Sequence, residues 1–332
     1  MNDRTLVGPW IRRFLLEHLV AERNLARNTQ ASYRDTLTLL LPFAKERTKI
    51  PIDRLAIEDL SSDIIIQFLK HIETTRGCSG VTRNQRLGAI HSLAKFVGMR
   101  SPQHIAWCTA IRAVPFKKVT RAVMDYLEKP EVDALLAVPD RRTERGARDY
   151  AILLFLYNSG ARADEVAQLT IGDLTLGTSA PCVRILGKGR KVRVCPLWKV
   201  TIQSLNSVID SRSAAEHVFI GNRDQPLTRY GIYKLVKSAV VEARLAEPSL
   251  LKKRISPHTL RHSTAVHLLR AGVDINTIRA WLGHVSVDTT NIYAEVDIDM
   301  KAKALSRCDV SSTQPHRHWK SQPQLMEFLK GL

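Results

Sequence analysis

Over most of this chain apolar residues recur every three or four positions, but from Cys182 to Leu197, in CVRILGKGRKVRVCPL, the period falls to two. Two is the period of a strand, and the Gly-Lys-Gly at 187–189 supplies a turn that folds one arm back on the other. LTIGDLTL, just upstream at 169–176, alternates in the same sense. The expected fold is therefore mainly α with a small antiparallel β-sheet, helices returning from about Tyr230.

The first third reads as helices divided by polar breaks. Trp10, Ile11, Phe14 and Leu15 fall at helical spacing. In NTQASYRDTLTLLLPFAKE, Tyr33, Leu37, Leu40 and Leu41 form one stripe behind an Asn28-Thr29 cap, and Pro42 is expected to kink or end the helix. IEDLSSDIIIQFLKHIE and SGVTRNQRLGAIHSLAKFVG supply further helices, the second with Leu87, Ile90, Leu93, Phe96 and Val97 on one side. Four or five short helices would make a compact N-terminal bundle over residues 1–110. Arg27, Arg34, Arg83 and Arg86 lie near helix starts, where backbone N–H groups also attract phosphate.

IRAVPFKKVTR, at 111–121, reads as an extended basic linker, because Pro115 discourages helix. A mixed domain follows over 122–308: KPEVDALLAV opens a helix with Pro130 in its first turn, and RDYAILLFLYNSGARADEVAQL gives an apolar helix, a glycine turn and a second helix. The tail, 309–332, is polar and then sets Leu325, Met326, Phe328, Leu329 and Leu332 in a short amphipathic pattern that needs a surface to dock on.

Charge narrows the partner. Lysine and arginine number 50 against 32 acidic residues in 332, a net charge of +18, spread from IRRF through DRRTERGAR and GKGRKVR to RHWK. A polyanion is expected, and nucleic acid suits so broad a basic surface better than a membrane patch does. The cysteines at 78, 108, 182, 195 and 308 show no CxxC spacing, so reduced thiols in the cytoplasm are expected rather than a zinc ribbon or a disulfide framework. Charges run through the apolar residues of MNDRTLVGPWIRRFL, and no apolar run approaches membrane-spanning length, so neither a signal peptide nor a transmembrane helix is expected.

SPHTLRH, from Ser256 to His262, is the most informative stretch for chemistry. Ser256 suits an N-cap and Pro257 a first helical position, which places His258 and Arg261 on one face with free backbone N–H groups. That is an anion site, and phosphate is the anion a basic protein meets. His258 and His262 also stand four apart, a metal-ligand spacing, but no glutamate follows His258 and no cysteine completes a set. Arg162 follows a glycine turn in NSGARADEV, with Glu165 three residues on, either to orient its guanidinium over a phosphate or merely to pair with it on a helix surface. Lys188, at the hairpin tip, can reach into a groove and donate a proton, or merely touch DNA backbone as part of a basic turn. The chain has no nucleophile elbow, no paired acidic cluster for two metals and no GxxxxGK[ST] loop. Tyr293 is left as nucleophile, and its phenolate would form a covalent protein–DNA ester.

GARADEV, ILGKGRKVRVCPL, HTLRHSTAVHLLRAGVDINTIRAWLGH and TTNIY together resemble the tyrosine recombinases, also called the phage integrase family, and the likeness runs from about residue 9 to 300. The resemblance implies an N-terminal helical domain that clamps core DNA, joined to a mixed α/β catalytic domain. It implies that Arg162 and Arg261 clamp phosphate, Lys188 is the general acid, His258 assists proton transfer with the tyrosine, His284 donates to the phosphate, Tyr293 attacks, and Glu165 supports. The intermediate would be a 3′-phosphotyrosine, formed with no cofactor or metal. Partners would be double-stranded DNA recombination sites and further copies of the chain, a tetramer on DNA, or related recombinases, with no membrane. Such a protein would sit with the nucleoid in the cytoplasm and serve integration, excision or transposition of a mobile element first, chromosome-dimer resolution second. Ala161 stands where a larger aliphatic is usual, and His262 is given a structural role. Two alternatives remain open at this point. STAVHLLRAGVDINTIRAWLG also scans as the helix-turn-helix of a non-catalytic regulator, and a type IB topoisomerase would use the same chemistry.

Overall fold

The computed structural model describes residues 5–119 and 124–283, apart from 188, 190, 211, 222 and 223. The chain divides into two compact units, Met1–Ala122 and Val123–Leu332. The first is helical. Helix α1 (Val7–Arg13) runs directly into a π-helical segment, Phe14–Glu22, followed by α2 (Arg27–Thr48), α3 (Ser62–Thr74), α4 (Gly80–Arg100) and α5 (Ile105–Arg112). Ser61 and Ser79 cap α3 and α4, their hydroxyls accepting from the amides of Ile64 and Thr82.

Three expectations need correction in this unit. Helix α2 starts behind Ala26 without a side-chain cap, ahead of the expected Asn28-Thr29 cap, and it continues through Pro42 to Thr48. Leu40 on one side of the proline and Phe43 and Ala44 on the other are buried, so packing on both sides holds the helix despite the lost hydrogen bond. At 22 and 21 residues, α2 and α4 are not short. The stretch read as extended from residue 111 begins inside α5, because Ile111 and Val114 are buried in the helical core. The chain is extended only from Pro115, where Arg83 Nη1 donates to the Pro115 carbonyl at 2.9 Å. Asn84 donates to the Lys117 carbonyl at 2.7 Å and accepts from its amide at 2.9 Å.

In the second unit, α6 (Lys129–Ala137) and the buried α7 (Glu144–Ser159) lead through α8 (Ala163–Ala167) to three strands, β1 (Leu174–Thr175), β2 (Cys182–Leu186) and β3 (Val192–Pro196). They form one antiparallel sheet in the order β1-β2-β3, with Val183 opposite Cys195 and Ile185 opposite Arg193. LTIGDLTL gives only two strand residues, since the Asp173 carboxylate caps a 3-10 turn at Ile171–Asp173 by accepting from the Thr170 amide and hydroxyl. Helices return at Lys199, earlier than the sequence pattern suggests, in α9 (Lys199–Ile209), and then α10 (Arg229–Ala246), α11 (Pro257–Arg270) and α12 (Ile275–Leu282). Val183, Ile185 and Cys195 pack with Ile152, Phe155 and Leu156 of α7 and with Val236 and Val240 of α10 in the main core. Ala265, Val266, Leu269, Ile278 and Leu282 make a smaller one between α11 and α12. The tail expected to be amphipathic, 309–332, lies outside the described residues. No helix among the described residues is long and apolar enough to cross a membrane.

Candidate active site

The site is built on a turn. Helix α7 stops at Gly160, which takes the left-handed conformation with φ 59° and donates its amide to the Leu156 carbonyl at 3.0 Å. Ala161 is buried, and the extended backbone of Arg162 then opens α8. The Glu165 carboxylate accepts from the Arg162 amide at 2.8 Å through Oε2 and from Arg162 Nη1 at 2.7 Å through Oε1. The same carboxylate accepts from Arg193 Nη2 on β3 at 2.6 Å. Burial alone would raise the Glu165 pKa, but the hydrogen bond and charge of Arg193, then the backbone and side-chain bonds of Arg162, bring it below the ordinary value. Glu165 is therefore a buried carboxylate held by two guanidinium groups.

Arg261 reaches the same turn from α11. Only 3% exposed, it donates from Nη1 to the Gly160 carbonyl and from Nη2 to the carbonyl of Leu282, the last residue of α12, each at 2.6 Å. Thr264, one turn on, donates its hydroxyl to the Tyr157 carbonyl at 2.7 Å and fixes α11 against α7. His258 stands in the first turn of α11, behind Ser256 and Pro257. Its pKa is lowered by partial desolvation, then by the charges of Arg261 and Arg162, with Glu165 opposing. Arg162, Glu165, Arg261 and His258 thus come within electrostatic reach of one another. His262 is pushed down to about 4, by burial first and then by His258 and Arg261.

Lys188, His284 and Tyr293 lie outside the described residues. The residues preceding Lys188 and His284 are described: Gly187 donates its amide to the Lys191 carbonyl at 2.8 Å, closing the hairpin, and Gly283 ends α12 with φ 67°. Both glycines line a cavity of about 580 Å³ with Arg193, Thr277, Arg279 and Trp281. Among the described residues, no group of three His, Cys, Asp or Glu side chains is placed to hold a metal ion.

Arg193 is the residue that reading the sequence missed. On β3 the pattern is inverted: Val192 and Val194 are exposed, while Arg193 and Cys195 face inward. The signal available was Arg193 standing in phase with a cysteine on a strand of period two. Burial pushes the Cys195 thiol up to about 11, and its Sγ lies 3.4 Å from the Trp281 carbonyl oxygen, so it serves packing between β3 and α12.

Comparison with known proteins gives concordant results. Residues 125–299 match the phage integrase family, and residues 11–100 match the phage integrase N-terminal SAM-like domain. The chain is 37% identical to the integrase/recombinase y4rC of Sinorhizobium fredii, over 100% of both chains. It is 32% identical to the tyrosine recombinase XerC of Roseiflexus castenholzii, over 91% of this chain and 90% of that one. Among solved structures its fold resembles the XerH site-specific recombinase bound to palindromic difH substrate, with TM-score 0.67 and 22% identity over 86% of this chain and 81% of that one. It also resembles the Tn1549 transposon integrase in complex with a circular intermediate DNA, with TM-score 0.67 and 16% identity over 89% of this chain and 98% of that one.

Proposed function

The chain belongs to the phage integrase family, the tyrosine recombinases, and on that premise we propose how its residues cut and rejoin DNA. It is a site-specific recombinase. Tyr293 attacks the scissile phosphorus through its phenolate oxygen, the bond from phosphorus to the 5′ oxygen breaks, and that oxygen takes a proton from Lys188. The 3′-phosphotyrosine conserves the ester, so a 5′-hydroxyl from a second duplex reverses the step and joins the strand. Arg162 and Arg261 neutralise the charge that builds on the phosphate, and His284 donates a further hydrogen bond. His258, whose lowered pKa keeps it neutral near pH 7, takes the phenol proton.

One observation carries this reading. Arg261 donates to the carbonyl of Gly160, Arg162 lies two residues further on, and the charges of both bear on His258. In a helix-turn-helix regulator the second helix would be left to read a groove, whereas here the end of α12 is tied into the site through the Leu282 carbonyl. The helical unit, which runs through α5 to the buried Val114, clamps the DNA core site, the chain from Pro115 to residue 121 is the linker, and 122–308 is the catalytic domain. Four copies assemble on two sites, and residues 309–332 dock on a neighbour. Full-length likeness to an integrase/recombinase favours movement of a genetic element over chromosome-dimer resolution.

The test is covalent trapping on nicked duplexes taken from the DNA flanking the gene. The parent protein is expected to form an adduct resistant to denaturant and Tyr293→Phe to form none; an undiminished adduct in Tyr293→Phe would sink the assignment. Relaxation of any supercoiled plasmid, without dependence on sequence, would instead indicate a topoisomerase.

A further inference from the structure

Arg193 has no part in the steps above, yet it holds the site's buried carboxylate and lies beside two glycines next to proposed catalytic residues. It is 8% exposed, and its Nη2 holds the carboxylate that also holds the Arg162 amide and guanidinium. Its stem and guanidinium run between two glycines. A Cβ at Gly187 would lie 3.4 Å from Arg193 Nη1, and one at Gly283 would lie 3.1 Å from Arg193 Cδ and 3.4 Å from Nη1. Those glycines immediately precede Lys188 and His284. One side chain therefore packs against three segments that bear proposed catalytic residues.

Burial of Glu165 calls for a cation on β3, but not for one whose Nη1 also approaches Gly187 and Gly283. The Arg193 Nε has no hydrogen-bond partner among the described residues, an arrangement that disfavours burial, while two valines of the same strand face outward. An aliphatic residue would fill the same space without a stranded N–H, but it would leave the buried Glu165 with Arg162 alone. We infer that Arg193 is a positioning residue for strand cleavage: through Glu165 it fixes the Arg162 guanidinium, and between Gly187 and Gly283 it sets the spacing of the segments leading to Lys188 and His284. The inference rests on the functional reading above.

The experiment is single-turnover cleavage of a nicked duplex as a function of pH, with duplex affinity and thermal melting measured on the same proteins. The proteins are the full-length parent, Arg193→Met, Arg193→Lys, Glu165→Gln and the double variant Arg193→Met/Glu165→Gln. Arg193→Met is expected to bind duplex like the parent but to cleave at least about 30-fold more slowly. Its rate should fall further as pH is lowered, because the buried Glu165 loses the partner that keeps it ionised. Arg193→Lys should recover to within about tenfold of the parent, and the double variant should lose no more than the worse single one, since both act on one contact. Should the methionine variant not fold, Arg193→Lys decides, with about three- to tenfold slower cleavage at unchanged duplex affinity. Parental cleavage and pH profile in the variant that decides, or multiplicative losses in the double variant, overturn the inference alone. A parent that forms no adduct sinks the functional reading and this inference with it.

Discussion

Replacing Gly160 by alanine tests the turn on which the whole site rests. Two costs can be separated. The left-handed backbone, φ 59°, costs a residue with a Cβ about 1–2 kcal/mol. The added methyl would also lie 2.5 Å from Leu282 Cδ2, with Thr264 next at 3.6 Å. Leu282 is fully buried, so it cannot swing into solvent, and overpacking of this kind costs about 1–3 kcal/mol. Together the unit should lose about 2–5 kcal/mol, and its melting temperature about 4–20 °C at roughly 2–4 °C per kcal/mol for a domain of this size.

The perturbation also reaches the chemistry, because pushing Leu282 away displaces one of the two carbonyls that hold Arg261. Cleavage should therefore fall by more than the loss of folded protein explains. A double-variant cycle with Leu282→Ala isolates the steric part: the cavity left by leucine is partly filled by the new methyl, so the two changes should couple by at least about 0.5 kcal/mol. Thermal melts of the four proteins supply the measurement. A Gly160→Ala protein that melts within about 1 °C of the parent, or a strictly additive cycle, refutes the reasoning.

Three further outcomes are expected. Arg261→Met strips the Gly160 and Leu282 carbonyls of their shared donor and should lower covalent adduct formation about 10²- to 10³-fold; parental adduct yield counts against its role. His262, at about 4 folded against 6.5 as its ordinary value, takes up a proton on unfolding, so stability should fall as pH drops from 6.5 towards 4, with His258 acting in the same direction. The slope contributed by one such histidine is at most about 1.4 kcal/mol per pH unit, and denaturant melts across this window should show a flatter profile in His262→Gln. Asn84→Ala removes both hydrogen bonds to the Lys117 backbone, each worth about 1 kcal/mol, so trypsin should cut after Lys117 or Lys118 several-fold faster; an unchanged cutting rate would show that the extended stretch from Pro115 is held by other contacts.

What was legible in the sequence is what a few neighbouring residues decide. Ser256 and Pro257 start α11, Gly160 stops α7, and the hairpin follows from alternation around Gly-Lys-Gly, all without reference to the rest of the chain. Those features alone place Arg162, Glu165, His258 and Arg261 at helix starts. The misreadings concern segment ends set by distant packing: α2 does not end at Pro42 because Leu40, Phe43 and Ala44 are buried, and the stretch from residue 111 is still helical to Arg112 because Ile111 is buried.

Arg193 was hidden for the same reason in a sharper form. Read by period alone, VRVCP puts its valines inside and its arginine in water, since hydrophobicity is what alternation normally reports. The strand instead turns Arg193 inward to a carboxylate 28 residues earlier in the chain. The deciding quantity is the cost of burying Glu165, which one partially exposed Arg162 does not offset, and which exceeds the gain from sheltering two valines. A strand that faces a buried acid must therefore be read from the acid outward: Glu165 requires an inward cation nearby, β3 offers Arg193, and the exposure of Val192 and Val194 follows as the consequence.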